Sequence, residues 1–317
     1  MKRAFVTGGT GVTGVALVRY LLSQNVEVVA VVRPSSTRIK YLPTDDEKLT
    51  IIYGSMEQVD MLEEKLLTIG SFDAFFNLAW DGSTIVNKGN SRDDMLLQSN
   101  NIVLTVKAVE LCDKIGCKTF VMTGSQAEFG ICGDVYVNES MPSLPVNGYG
   151  NAKLCAENMT RIMCKKKNIK HIWARLFSIY GPYDGTNSLI YTSILKLLKG
   201  ERPAYTPGEQ KWDFMYSFDA AKALYLLAEH GRDGEMYCVA NGQTKDLKEY
   251  ISIIHDICAP EIKPVFGEIP YGPNQVMFLG ADISKLKADT GFEAEYTFDQ
   301  GIEIIKNWCI ETKEEYV

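Results

Sequence analysis

The sequence predicts an α/β protein: a doubly wound parallel sheet with helices on both faces, and a smaller C-terminal lobe beside it. Three observations carry this. Short apolar runs alternate with helix-period segments from residue 3 to residue 175. A glycine-rich turn, Thr7-Gly8-Gly9-Thr10-Gly11-Val12-Thr13-Gly14, joins the first strand to the first helix. From Ser178 onward the spacing becomes irregular and richer in Pro and Gly: Gly181-Pro182, Pro203, Pro207-Gly208, Pro260, Pro264, Pro270 and Pro273.

Arg3 to Thr7 reads as a short buried strand, and Val15, Leu17, Val18, Leu21 and Leu22 follow the glycine turn at helical spacing. Glycines let the backbone turn tightly and approach a pyrophosphate, and the next helix offers unpaired N–H groups and the positive end of its dipole. A strand, glycine turn and helix in that order open a Rossmann-type dinucleotide site. Val26–Val32 is nearly all apolar, as a parallel strand covered on both faces should be. It ends at Arg33-Pro34-Ser35-Ser36-Thr37-Arg38, with no Asp or Glu to bind the ribose hydroxyls of NAD. Arg33, with Ser36 near it, can instead meet a 2′-phosphate, so the expected cofactor is NADP(H), with NAD as the alternative. The alternation continues through strands at 50–53, 74–77 and 119–123, helices near 57–68, 92–114 and 150–167, and a strand at 169–175. The expected division is a dinucleotide-binding domain over residues 1–177 and a smaller substrate lobe over 178–317, with a helix near 217–230 returning to the sheet.

Ligands of such sheets lie at the carboxyl ends of the strands. Gly8–Gly14, Arg33, Asn77–Trp80 and Gly124–Ser125 all fall there. Tyr149-Gly150-Asn151-Ala152-Lys153 supplies the candidate chemistry. A helix beginning near Tyr149 puts its side chain and that of Lys153 on one face, and an ammonium beside a phenol favours the phenolate. Of the sixteen tyrosines, only Tyr149 is followed four residues later by lysine.

Composition bounds the alternatives. The chain has 317 residues, 46% hydrophobic and 23% charged, with no apolar run near the roughly 18 residues needed to span a bilayer. A net charge of −7 argues against nucleic acid or an anionic membrane as partner. Eight scattered cysteines without a C-x-x-C, and only His171, His230 and His255, support neither a metal site nor a Ser-His-Asp triad. Free thiols in a reducing cytoplasm are the expected state.

These residues resemble a known family, the extended short-chain dehydrogenase/reductases of the nucleotide-sugar epimerase and dehydratase type. The resemblance covers nearly the whole chain. It rests on Thr7–Gly14, Asn77-Leu78-Ala79, Asn100, Thr123-Gly124-Ser125-Gln126-Ala127-Glu128-Phe129-Gly130, Tyr149-x-x-x-Lys153 and Arg175-Leu176-Phe177-Ser178-Ile179-Tyr180-Gly181-Pro182. The late stretch Pro207-Gly208-Glu209-Gln210-Lys211-Trp212-Asp213-Phe214 adds a substrate-lobe match. The resemblance implies that Gly8, Gly11, Val12 and Thr13 cradle the cofactor pyrophosphate. Leu78, Ala79 and Thr123 would flank the dinucleotide. Tyr149 would exchange a proton with a sugar oxygen that Ser125 also hydrogen-bonds, while Lys153 binds the nicotinamide ribose and lowers the Tyr149 pKa. Hydride would pass between the sugar carbon, most often C4, and the nicotinamide.

Departures from the family pattern narrow the reaction. Gln126 and Ala127 stand where dehydratases carry an adjacent Asp-Glu pair, so water elimination is not expected. Ser178 replaces a substrate-contacting Asn, and Trp212 replaces an Arg that grips the substrate pyrophosphate. Gln126, Ser178 and Lys211 are the candidate substrate contacts. The reading is a 4-keto-sugar reductase or sugar 4-epimerase acting on a nucleotide-activated sugar. The alternatives are a reductase of small carbonyl compounds and a non-catalytic dinucleotide sensor. The helix near 92–114 is apolar around most of its circumference, which together with the resemblance predicts a homodimer through that helix and the one near 150–167.

Overall fold

The computed structural model describes residues 1–83, 91–185, 188–272 and 275–312. Its first half is the expected alternation: β1 (Arg3–Thr7), α1 (Val12–Ser23), β2 (Glu27–Val32), β3 (Leu49–Tyr53), α2 (Val59–Ile69), β4 (Ala74–Asn77), α3 (Met95–Lys114), β5 (Thr119–Ser125), α4 (Gly148–Lys167) and β6 (Lys170–Leu176). The second half runs β7 (Ser178–Tyr180), α5 (Leu189–Leu198), β8 (Lys211–Trp212), β9 (Phe214–Tyr216), α6 (Ser217–His230), β10 (Glu235–Val239), β11 (Lys245–Asp246), α7 (Leu247–Cys258), β12 (Phe278–Leu279), α8 (Ser284–Thr290) and α9 (Phe298–Thr312).

Seven parallel strands form the central sheet in the order β10-β6-β5-β4-β1-β2-β3. The chain winds outward from β1 in both directions, so a crevice opens between β1 and β4 at their carboxyl ends. Alternation along the strands feeds two cores. Ala4, Val6, Val28 and Ala30 face α1 and α6, whereas Phe5, Val29 and Val31 face α2, α3 and α4. Both faces are therefore apolar, which is why these strands read as unbroken hydrophobic runs. Each fully buried Val, Leu or Phe side chain here contributes about 1.5–3 kcal/mol.

Helix α6 lies on the central sheet, against β5 and β6. Strand β10, which the sequence reading leaves within the smaller lobe, joins that sheet: it pairs with β6 from Glu235 opposite Ile172 to Val239 opposite Leu176. Helix α3 begins at Met95, not near residue 92, because Asp94 caps it by accepting the Leu97 N–H at 3.1 Å. Ser91–Asp93 form a separate 3₁₀ turn. A third core joins α5, α7 and α9 to β7 and β9 through Tyr180, Ile194, Tyr216, Ile254, Phe298 and Ile302. No helix among the described residues is long and apolar enough to cross a membrane.

Candidate active site

The glycine turn is shaped by steric necessity. Gly8 has φ +70°, and a Cβ there would lie 2.6 Å from the Ala79 nitrogen, so only glycine lets the end of β1 pass the segment after β4. Gly11 then precedes α1, its N–H donating to the Gly8 carbonyl at 3.2 Å. The first-turn N–H groups of α1, those of Val12 and Thr13 among them, have no intrahelical acceptor. They stand at the positive end of the helix beside a cavity of about 390 Å³. Gly8, Thr10, Gly11, Arg33, Arg38, Gly54, Ser55, Met56, Leu78, Ala79, Trp80 and Asp81 are among the residues that line it.

Arg33 and Arg38 both line the cavity, whereas Ser36 lies outside its lining. Arg33 pairs with Asp81 at 3.0 Å, an acid that the sequence reading does not single out. Arg38 donates to the Thr10 carbonyl at 2.8 Å and to the Tyr183 carbonyl, tying the glycine turn to the loop after β7.

The Tyr149–Lys153 pair lies on the first turns of α4. Asn147 caps that helix by accepting the Gly150 N–H at 2.8 Å, and Asp93 accepts the Gly148 N–H at 2.8 Å. Gly148 is required here, since a Cβ would meet the Arg92 carbonyl at 2.8 Å. Tyr149, Lys153 and Ser125 are all buried, and the Ser125 side chain lies near enough to the Tyr149 phenol to favour its ionised form. Ser125 is itself fixed, its N–H donating to Glu128 at 2.6 Å and its hydroxyl accepting from the Ala127 N–H at 3.2 Å. Glu128 is sealed from water and pairs with Arg175 at 2.7 Å. Structure thus brings the three candidate catalytic residues together beside the cavity wall at Trp80.

Two details differ from expectation. Lys153 donates to the Thr123 carbonyl at 2.7 Å, with its ammonium 3.8 Å from the Trp80 ring centroid and 5.8 Å from that of Tyr149. The phenol is not lowered toward neutrality: burial pushes Tyr149 up to about 12, against the pull of Ser125 and of Arg92. Burial also draws Lys153 down to about 7, opposed by the charge of Glu128. Arg92, whose guanidinium carbon is 4.6 Å from the Tyr149 ring centroid, carries no local sequence signal.

On the substrate side, Ser178 accepts a hydrogen bond from the Trp212 indole at 2.6 Å. Lys211 is exposed, its backbone N–H donating to the Met277 carbonyl at 2.8 Å. Gln126 lines a second, smaller cavity of about 190 Å³ with Phe129, Phe177, Val276, Met277 and Phe278. No Lys or Arg is among the described residues of that lining. Among the described residues no group of His, Cys, Asp and Glu is placed to hold a metal ion.

A parallel sheet with a glycine turn at its crevice, and a buried Ser-Tyr-Lys set beside that turn, defines a dinucleotide-binding oxidoreductase scaffold. The chain belongs to the NAD-dependent epimerase/dehydratase family, whose pattern matches residues 4–240. It is 28% identical over 204 residues to a dTDP-glucose 4,6-dehydratase of Xanthomonas campestris pv. campestris, covering 60% of this chain and 57% of the dehydratase. The match therefore spans little more than half the length of that relative. The UDP-N-acetylglucosamine 4-epimerase of Methanobrevibacter ruminantium M1, solved with UDP-N-acetylmuramic acid, superimposes with a TM-score of 0.87 at 27% identity, over 98% of this chain and 99% of that one. The dTDP-glucose 4,6-dehydratase of Bacillus anthracis in complex with NAD has the same fold, with a TM-score of 0.84 at 21% identity over 100% of this chain and 99% of the dehydratase.

Proposed function

We propose that the chain is a nicotinamide-dinucleotide-dependent 4-keto-sugar reductase or sugar 4-epimerase acting on a nucleotide-activated sugar. The observation that carries this is the burial of Ser125, Tyr149 and Lys153 together, with Trp80 touching both Tyr149 and Lys153 from the wall of the glycine-turn cavity. The dinucleotide supplies hydride chemistry when bound. Gly8, Gly11, Val12 and Thr13 would hold its pyrophosphate, Leu78 and Ala79 its groove face, and Lys153 and Thr123 the ribose side. Ser125 orients the reacting oxygen, and Tyr149 gives or takes its proton. Gln126 and Ala127 offer no acid for water elimination. The adjoining Glu128 is committed to Arg175, Trp173 and the Ser125 N–H, so it is not free to serve as one.

The test is Tyr149→Phe, which should abolish hydride transfer across a panel of UDP- and dTDP-sugars and their 4-keto forms while leaving dinucleotide affinity nearly intact. Comparable turnover in that variant would refute the role. A second reading, reduction of small carbonyl compounds, draws on Trp212 holding Ser178 and on the lack of Lys or Arg among the described residues that line the cavity beside Gln126. Turnover of simple ketones with none of sugar nucleotides would select it.

For the cofactor we favour NADP(H), because β2 ends on Arg33 with no acid in the ribose position and the exposed Arg33–Asp81 pair is weak enough to exchange for a phosphate. Asp81 itself and the NAD bound in the Bacillus anthracis dehydratase favour NAD(H) instead. The chain is also proposed to form a homodimer through α3 and α4, where Leu96 is 85% exposed and Val103, Met159 and Ile162 lie open. Leu96→Glu with Ile162→Glu should turn a dimeric mass in light scattering into a monomeric one. Its eight free cysteines suit a reducing compartment such as the cytoplasm.

A further inference from the structure

Two cations approach Tyr149, and they are not equivalent. Lys153 rises from α4 on the Trp80 side; its ammonium is fastened to the Thr123 carbonyl and lies closer to the Trp80 ring than to the phenol ring. Trp80 meets the Tyr149 ring edge-on, with centroids 6.1 Å apart and planes at 87°. Arg92 approaches from the 3₁₀ turn before α3, its guanidinium carbon 4.6 Å from the Tyr149 ring centroid. Its Nε is buried without a hydrogen-bond partner, an arrangement that costs free energy unless the guanidinium has another use.

That turn is held in place from three directions. The Arg92 carbonyl packs against Gly148, Asp93 accepts the Gly148 N–H, and the Gln98 amide donates to the Ser91 carbonyl at 2.9 Å. The same Gln98 accepts the Trp80 indole N–H at 2.9 Å, so one buried amide sets both the ring that shields Lys153 and the turn that carries Arg92. From this geometry we propose that Arg92 is a positioning residue for proton transfer: acting through the Tyr149 ring, its permanent charge stabilises the phenolate form.

The assignment rests on the acid–base role proposed above for Tyr149. Among the described residues, the other groups acting on the phenol are Lys153 from α4, Ser125 from β5 and Glu128 from the turn after it, the last opposing ionisation. Burial makes Lys153 an unreliable source of charge near and above neutrality, whereas a guanidinium keeps its proton throughout.

The experiment replaces Tyr149 with a trifluorinated tyrosine, whose acidic phenol titrates where the protein is folded, and follows its 19F resonance against pH in the full chain without substrate. Arg92→Gln should move the midpoint up by about one pH unit, roughly tenfold less phenolate at a given pH. Arg92→Lys, which keeps the charge, should recover at least half of that shift. A midpoint unmoved by Arg92→Gln, or an Arg92→Lys midpoint as high as that of Arg92→Gln, overturns the assignment. Because no turnover is measured, this result is independent of the Tyr149→Phe test, which alone decides whether the phenol is the acid–base group.

Discussion

Lys153 stands 3.8 Å from the centroid of the Trp80 ring and donates to the Thr123 carbonyl at 2.7 Å. An ammonium held by an aromatic face and a carbonyl can turn to a ribose hydroxyl only by loosening one of these contacts. Dinucleotide binding should therefore perturb Trp80. Adding oxidised dinucleotide is expected to change the tryptophan emission, and Trp80→Phe should remove most of that change. An equal response in the variant would mean that Trp80 does not report on the site.

Arg33 lines the cavity and pairs with Asp81 across exposed surface. If it receives a 2′-phosphate, Arg33→Ala should weaken NADP(H) binding about tenfold or more, the value of a charge-assisted bond, and leave NAD(H) within about twofold. Asp81→Ala should act in the opposite sense on NADP(H). Calorimetric titration with both dinucleotides decides the matter; equal losses for the two would rule out phosphate recognition.

Arg175 spans two carboxylates beneath Ser125, Glu128 at 2.7 Å and Glu157 at 2.9 Å, all three nearly sealed from water. Arg175→Met leaves two buried acids without their counter-charge, a loss of about 3–5 kcal/mol. Urea unfolding measures it. Adding Glu128→Gln and Glu157→Gln to that variant should recover part of the loss, and no recovery would show that packing rather than charge is responsible.

How much of this could be read from the sequence depends on chain distance. The glycine turn, the apolar strands and the Tyr149–Lys153 spacing are local patterns, each legible within a dozen residues. Strand β10 is not: Glu235–Val239 joins the sheet only because β6 presents an open edge, and edge pairing leaves no mark on a strand's own sequence. Arg92 is hidden for the same reason, and although the sequence puts Trp80 at a strand end, its contact with Tyr149 is likewise a matter of tertiary packing set by Gln98. The expected lowering of the Tyr149 pKa follows from spacing alone, and burial, which spacing does not reveal, reverses it.

His171 supplies a pH dependence. It is buried, lying near-parallel to the rings of Phe120 and Trp173, and Thr160 donates to the Ala156 carbonyl while its oxygen meets His171 Nε2 at 3.0 Å. Protonation would put a hydrogen on Nδ1, which is buried with no partner. Burial, aided by Arg161, accordingly lowers its pKa from 6.5 to about 4. Between those values the unfolded chain holds the proton and the folded one does not, so folding stability falls as pH drops, by up to about 3 kcal/mol. His171→Met should flatten that part of the urea-unfolding profile, and an unchanged slope would exclude His171 as its source.

Strands β7 and β9 pair side by side, Ser178 with Phe214 through Tyr180 with Tyr216. The first follows β6 after the single residue Phe177, and the second runs straight into α6 at Ser217. Everything between them leaves and rejoins the body of the protein through a two-stranded ribbon. The segment is fastened outside the ribbon too, since α5 packs on α7 and α9 and β8 pairs with β11 and β12. Cutting one strand would not set the segment adrift, because the other still tethers it.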